Sequence, residues 1–221
     1  MNKSPEEYFR EQNFSDTAKD QSFSAAEQAF IEKYLGVEGA PSLEEMGYDA
    51  RKAALEATPD QHQDMATEQP LAQILRDAKH LQMVAFYLGN QEFTLPTIVV
   101  QEVIRALPIA KLPSAPPLIA GAVSLRGKIT PLIRLRDALE VSSPRKQEDK
   151  FIIVCRRQGF QVGLMIERVH TMYRIPQADI DWNIEATLGT GVEFVSGLVK
   201  LENMLVGIVD VDKIIQSILG Q

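Results

Sequence analysis

Residues 113–139 read PSAPPLIAGAVSLRGKITPLIRLRDAL. This stretch decides the fold class. Ile119 to Leu125 is an apolar strand, Arg126-Gly127-Lys128 a tight turn, and Ile129 to Arg134 a returning strand. Gly127 supplies the turn, and the flanking cations solvate its tip. Ser114 to Pro117 make a Pro-rich corner before the first strand, and Leu135 to Leu139 make one helical turn after the second. A stiff hairpin with buried flanks and a basic tip is well suited to presenting side chains. Arg is favoured in such places because its planar fork can pair bidentately with carboxylates.

The same grammar extends in both directions. Met83 to Leu88 and Glu92 to Leu95 are strands around a Gly89-Asn90 turn. Residues 97–104, TIVVQEVI, have apolar spacing that fits a helix or a strand, with a helical turn preferred. Leu107 to Leu112 is short and extended, bounded by Pro108 and Pro113. A second round follows the polar loop 140–150. Phe151 to Cys155 and Phe160 to Ile166 flank a turn at Arg156 to Gly159. His170 to Ile175 is extended, and Phe194 to Leu201 pairs with Met204 to Val209 across Glu202-Asn203. Ile214, Ile215, Ile218 and Leu219 have helical spacing and mark a C-terminal docking helix. Short strands with Gly/Pro turns indicate a mainly β fold of two small packed barrels. Read in chain order, one barrel takes residues 81–140 plus the C-terminal helix, and the other takes 150–209.

Residues 1–80 differ in kind. They hold 8 Lys/Arg against 16 Asp/Glu, a net of −8, whereas 81–221 carry 15 against 14. The expected division is therefore an acidic N-terminal extension over 1–80 and a β domain over 81–221. Ser24 and Glu27 match a helix capping box, and Phe30, Ile31, Tyr34 and Leu35 follow as an apolar stripe. Residues 58–69 read as a linker, and Pro70 suits the first turn of a helix carrying Leu71, Ile74, Leu75 and Ala78. Three roles stay open for the extension. It is a partly disordered tether, a helix that docks on another partner, or a segment that folds back on the barrels.

The chain offers little to catalysis. His62, His80 and His170 have no metal-ligand spacing to Cys155 or to one another, so no metal is expected. Cys155 lies in an apolar run and reads as a small buried hydrophobe. No glycine-rich phosphate cradle appears, so no cofactor is expected. Asp179 and Asp181 read as a solvated loop without a base partner. Trp182 reads as a plug between elements, with an interface anchor as the alternative. The near-neutral β domain argues against nucleic acid. No apolar run approaches a membrane span and no secretory signal leads the chain, which points to the cytoplasm.

The 113–139 stretch resembles the signature of the CheW family. The matching residues are Pro113, Pro116, Gly121, Leu125, Arg126, Gly127, Pro131, Leu135 and Arg136. FYLGNQEFTLP and VQEVIRALPIAKLP resemble the family's opening hairpin and the segment after it. VGLMIERVHTMYRIP and FVSGLVKLENMLVGIVDVDKII resemble its closing part. The resemblance implies two SH3-like β-barrels and a non-catalytic adaptor. Its implied partners are a CheA-type histidine kinase regulatory domain and the cytoplasmic tip of a chemoreceptor. Carried over by position, Arg126 in the LRG motif is the main functional residue, with Gly127 and Ser124 beside it. Val100 and Glu102, expected on a helix, fall near the receptor-facing groove, and Gly121 is an interface-proximal backbone position. Two positions depart from the family pattern: Ser124 stands where Asn is usual, and Arg134 where Asp is usual. Arg134 therefore needs a different partner from the family residue. Alternatives are an interaction module of another signalling complex, such as one with a pilus output, or a β-barrel nucleic-acid module.

Overall fold

The computed structural model describes residues 29, 30, 33, 34, 70–112, 115–141, 148–184, 193–201 and 204–220. Readings that fall elsewhere, including the Ser24/Glu27 box, His62, the 58–69 linker, Pro113 and the Glu202-Asn203 turn, lie outside the described residues.

Eleven strands are described. In order they are β1 (His80–Leu88), β2 (Gln91–Pro96), β3 (Val100–Arg105), β4 (Ile119–Leu125), β5 (Lys128–Arg134), β6 (Phe151–Arg157), β7 (Phe160–Ile166), β8 (Arg168–Pro176), β9 (Ile180–Asp181), β10 (Val195–Leu201) and β11 (Met204–Val209). Three helices accompany them: α1 (Leu71–Asp77), α2 (Leu135–Ala138) and α3 (Val211–Leu219). The mainly β class and the two SH3-like barrels hold.

The barrels are not consecutive halves of the chain. One sheet has the order β8-β1-β2-β11-β10-β9, and the other β3-β6-β7-β5-β4. The expected assignment of 81–140 to one barrel and 150–209 to the other is thus corrected. β1 and β2 belong with the C-terminal strands, while β3 to β7 form the other sheet. The chain leaves the first sheet across the turn Thr97–Val99 and re-enters it at Glu167. Two parallel pairings close the arrangement, β11 with β2 and β5 with β7. Parallel neighbours need long crossovers, which hairpin-by-hairpin reading does not reveal.

TIVVQEVI is also corrected. Thr97–Val99 is one 3-10 turn, and Val100–Arg105 is an edge strand with alternating half-buried and exposed residues. Its outward positions Gln101, Val103 and Arg105 alternate with Val100, Glu102 and Ile104. That is the period of a strand with one face toward the core.

The main core runs through both sheets and takes Phe86, Leu95, Ile133, Leu164 and Ile208 together with Ile214 and Ile218 of α3. A satellite core of Ala120, Val123, Leu132, Ile152, Val154 and Met165 fills the second sheet. The helix reading at the C-terminus holds. Asp210 caps α3 by accepting from the Lys213 N–H at 3.1 Å, and the apolar face Val211, Ile214, Ile215, Ile218 is buried. α1 adds Leu71 and Leu75 to the same core. So do Phe30 and Tyr34, from helical residues far ahead of the barrels.

Candidate functional site

The 119–134 hairpin forms as its sequence predicts, with Leu125 opposite Lys128 across the two-residue tip. Arg126 has φ 52° and Gly127 φ 77°. Two successive positive φ values are the type I′ geometry that matches strand twist. Glycine meets that demand freely. An arginine there carries a backbone cost of about 1 kcal/mol.

Arg126 projects from this tip with its side chain 80% exposed, and one guanidinium nitrogen lies 3.1 Å from a Glu102 carboxylate oxygen. Glu102 comes from β3, at the opposite end of the sheet order from β4. The pair therefore bridges the two strands that bound the sheet. A solvent-exposed pair of this kind adds about 0–1 kcal/mol at most. Its physical effect is orientation: the tether aims the guanidinium while leaving donors of its planar fork toward solvent.

The other sequence-chosen residues spread out from this pair. Ser124 lies two residues before the tip, paired with Ile129. Val100 packs against the main core, two residues before Glu102. Gly121 is a buried structural position. At φ 149° a Cβ would lie 2.3 Å from the Ala110 carbonyl oxygen, where β4 and the 109–110 segment exchange bonds of 3.0 and 2.8 Å. Only glycine permits that approach. Arg134 stands at the far end of β5, about 20 Å along the strand from the tip at 3.3 Å per residue. Its side chain donates to the Pro117 carbonyl at 3.3 Å, so the reversed charge is satisfied by the Pro-rich corner. The structure thus joins Arg126, Gly127, Ser124 and Glu102 at one rim and leaves Arg134 away from it.

Arg136, from the same motif, does structural work. It bonds Glu167 at 3.1 Å, both side chains being mostly buried. The same Glu167 oxygen accepts from the Gly89 N–H at 2.8 Å. This staple joins α2, the β7–β8 crossing and the β1–β2 turn. Nearby, burial pushes the Asp149 carboxyl above its ordinary range, aided by Asp137 and Glu167 and opposed by Arg136.

Two polar clusters escaped the sequence reading. Arg157 grips Asp212 of α3 through two bonds, 2.9 and 3.3 Å, and Asp212 also accepts from the Leu71 N–H at 3.4 Å. Glu92 is 4% exposed and accepts from Tyr173 at 3.1 Å and Tyr87 at 3.3 Å, with His170 Nδ1 at 2.8 Å. It fastens edge strand β8 to β1 and β2. Glu92 reads as the start of a strand and Arg157 as part of a turn, and neither position signals burial.

Burial pushes the Cys155 thiol up, so it stays protonated and inaccessible. Trp182 is partly buried against the main core, under the Arg76 guanidinium at 5.8 Å. Among the described residues, no His, Cys, Asp and Glu side chains gather in a metal-ligating group. In the same residues, no helix is long and apolar enough to cross a membrane. A cleft of about 260 Å³ lies between Pro117, Leu118, Asp137, Glu140 and Phe194. That is below the roughly 300–1,000 Å³ of typical small-molecule sites.

Two SH3-like barrels sharing a core, with a tethered cationic tip on one rim, define a double-barrel β module. The CheW-like domain model matches residues 82–219. The chain is 31% identical over 146 residues to the chemotaxis protein CheW of Thermotoga maritima, covering 65% of this chain and 94% of that one. It is 29% identical over 137 residues to the Helicobacter pylori chemotaxis protein CheW, covering 62% and 82%. The crystal structure of the scaffolding protein TtCheW from Thermoanaerobacter tengcongensis is similar with a TM-score of 0.54 and 29% identity, covering 59% of this chain and 89% of that one. The chain belongs to the CheW-like domain family.

Proposed function

We propose that this protein is a non-catalytic cytoplasmic adaptor of a chemosensory complex, joining a chemoreceptor cytoplasmic tip to the regulatory domain of a CheA-type histidine kinase. The observation that carries the reading is the Arg126 tip. A guanidinium 80% exposed, aimed by Glu102, occupies the LRG position in a chain whose relatives are named chemotaxis proteins. The supporting physics is that of surface recognition: a rigid hairpin, a planar donor fork and a flanking strand. The mechanism is geometric. Fixing receptor and kinase on one rigid two-barrel body lets a receptor displacement change kinase activity without chemistry at the adaptor.

Calorimetric titration against a CheA-type regulatory domain, and separately against a chemoreceptor cytoplasmic hairpin, tests this. Saturable binding to both is expected, with Arg126→Glu weakening at least one by about tenfold, a loss of about 1.4 kcal/mol. Two partners left unbound by a chain that melts cooperatively would overturn the reading. So would binding that Arg126→Glu leaves untouched.

A further inference from the structure

We propose that the C-terminal end of α3 and Phe160 form a helix-docking site, and that its occupant is this chain's own segment around residues 29–34, bound in cis. The surface belongs to the family-matched region 82–219, while the occupant comes from outside it.

The contact has the marks of specific recognition. Phe30 is 1% exposed and its ring lies 5.9 Å from that of Phe160 and 5.1 Å from that of Tyr34. Aromatic rings one helical turn apart, at i and i+4, present a single apolar face. Among the described residues, two polar contacts fall on one atom, the Ile218 carbonyl oxygen. Tyr34 donates its buried hydroxyl to it at 2.8 Å, and the Lys33 ammonium reaches it at 3.3 Å. Ile218 lies in the last turn of α3, where carbonyls lack intrahelical partners and the helix end carries partial negative charge. A hydroxyl and a cation are suited to such an end. Gly220, at φ 77°, caps the helix beneath Lys33, where a Cβ would lie 2.5 Å from the ammonium. The site thus reads three features of its occupant: an aromatic at i, a cation at i+3 and a phenol at i+4.

A covalently tethered occupant competes at an effective concentration on the order of mM. The site should therefore be closed to added peptide in the intact chain and open once its own ligand is disabled. The test uses a fluorescein-labelled peptide of residues 24–36 and the full-length chain, read by anisotropy. The variant Phe30→Ala/Tyr34→Ala should bind the peptide saturably, at least about tenfold more tightly than the wild type does. A cooperatively melting variant that ignores the peptide overturns the proposal, as does wild type that binds it equally well. Tyr34→Phe is the milder companion. It should speed hydrogen exchange at the Gly220 amide, which donates to the Gln216 carbonyl, whereas Tyr173→Phe should not; unchanged exchange overturns the proposal. Sedimentation separates the remaining possibility. A wild-type dimer that the double variant dissolves would mean that a second copy supplies the segment, and would overturn the cis assignment.

Discussion

Two hairpin tips in one sheet share a backbone and differ in fate. Arg126-Gly127 turns with φ values of 52° and 77°, and Gln158-Gly159 with 48° and 74°. Each places a non-glycine residue where the left-handed conformation is costly, so strain alone marks neither as functional. The difference lies in the neighbours. At the first tip the arginine is 80% exposed and its Glu102 partner 30% exposed. At the second, Arg157 and Phe160 flank the turn and are buried, the former against Asp212 and the latter against Phe30. Gln158 at the second tip is exposed as Arg126 is, so the contrast lies in the flanks: Arg157 and Phe160 are built into the join between barrel and helices, whereas Leu125 and Lys128 are only half-buried. A turn's geometry tells which way a chain reverses; the burial of the residues flanking its tip tells whether the turn is anchored in the body of the fold or stands free of it.

The sharpest way to break this contrast is to remove each tip's ion pair. Arg157→Ala leaves Asp212 without its main partner, between α3 and the Leu71 N–H. Breaking a mostly buried pair costs about 3 kcal/mol, which denaturant titration should show as a lowered midpoint at unchanged slope. A loss below about 1 kcal/mol would place the two pairs in one class. Arg126→Glu should do the opposite. Its unfolding midpoint should stay within about 0.5 kcal/mol of wild type, while partner binding falls about tenfold. Between them lies the Arg136–Glu167 staple with Asp149. The folded-state pKa of Asp149 is raised, so the folded chain holds that proton more tightly than the unfolded one. Stability is therefore lost as pH rises from the ordinary carboxylate value through the raised one, and the loss persists at neutrality. Asp149→Asn should melt higher than wild type at pH 7, with the advantage shrinking as pH falls through the carboxylate range. A constant difference across pH would show that Asp149 does not titrate differently on folding.

The sequence made the displayed tip legible and the buried one obscure, for a physical reason. Ile119–Leu125 and Lys128–Arg134 lie side by side in sequence and pair locally, so apolar run, turn and apolar run suffice to read them. The C-terminal helix was readable likewise from its spacing. Strand interleaving was not, because β2 meets β11 and β5 meets β7 only after long crossovers. The TIVVQEVI segment misled because Val99, Val100, Val103 and Ile104 fit helical spacing while the chain takes the strand suited to β-branched residues. The Arg126–Glu102 pair spans two distant strands. The hairpin pattern singled out Arg126 by itself; family resemblance, not spacing, added Glu102, and put it on the wrong kind of element. Arg157 reads as part of a turn and instead ends β6, and nothing local announced that Asp212 would arrive from α3. Phe30 and Tyr34 showed their apolar stripe plainly, but the surface awaiting them forms only when Phe160 and Ile218 meet.

The smallest effect sharpens the comparison furthest. Asn-Gly is the favoured pair for a type I′ tip, because asparagine tolerates positive φ better than arginine or glutamine does. Arg126→Asn and Gln158→Asn should each relieve part of the local backbone cost, raising stability by about 0.5 kcal/mol and the melting temperature by about 1–2 °C. On stability alone the two substitutions are twins. On partner binding they should separate, with Arg126→Asn weakening it and Gln158→Asn leaving it unchanged. If Arg126→Asn stabilises the fold and keeps full binding, the arginine has no role that its turn would not do better without, and the displayed tip loses its claim to be the recognition site. If it stabilises and abolishes binding, the residue is held against the turn's own preference, and the guanidinium is what the partner reads.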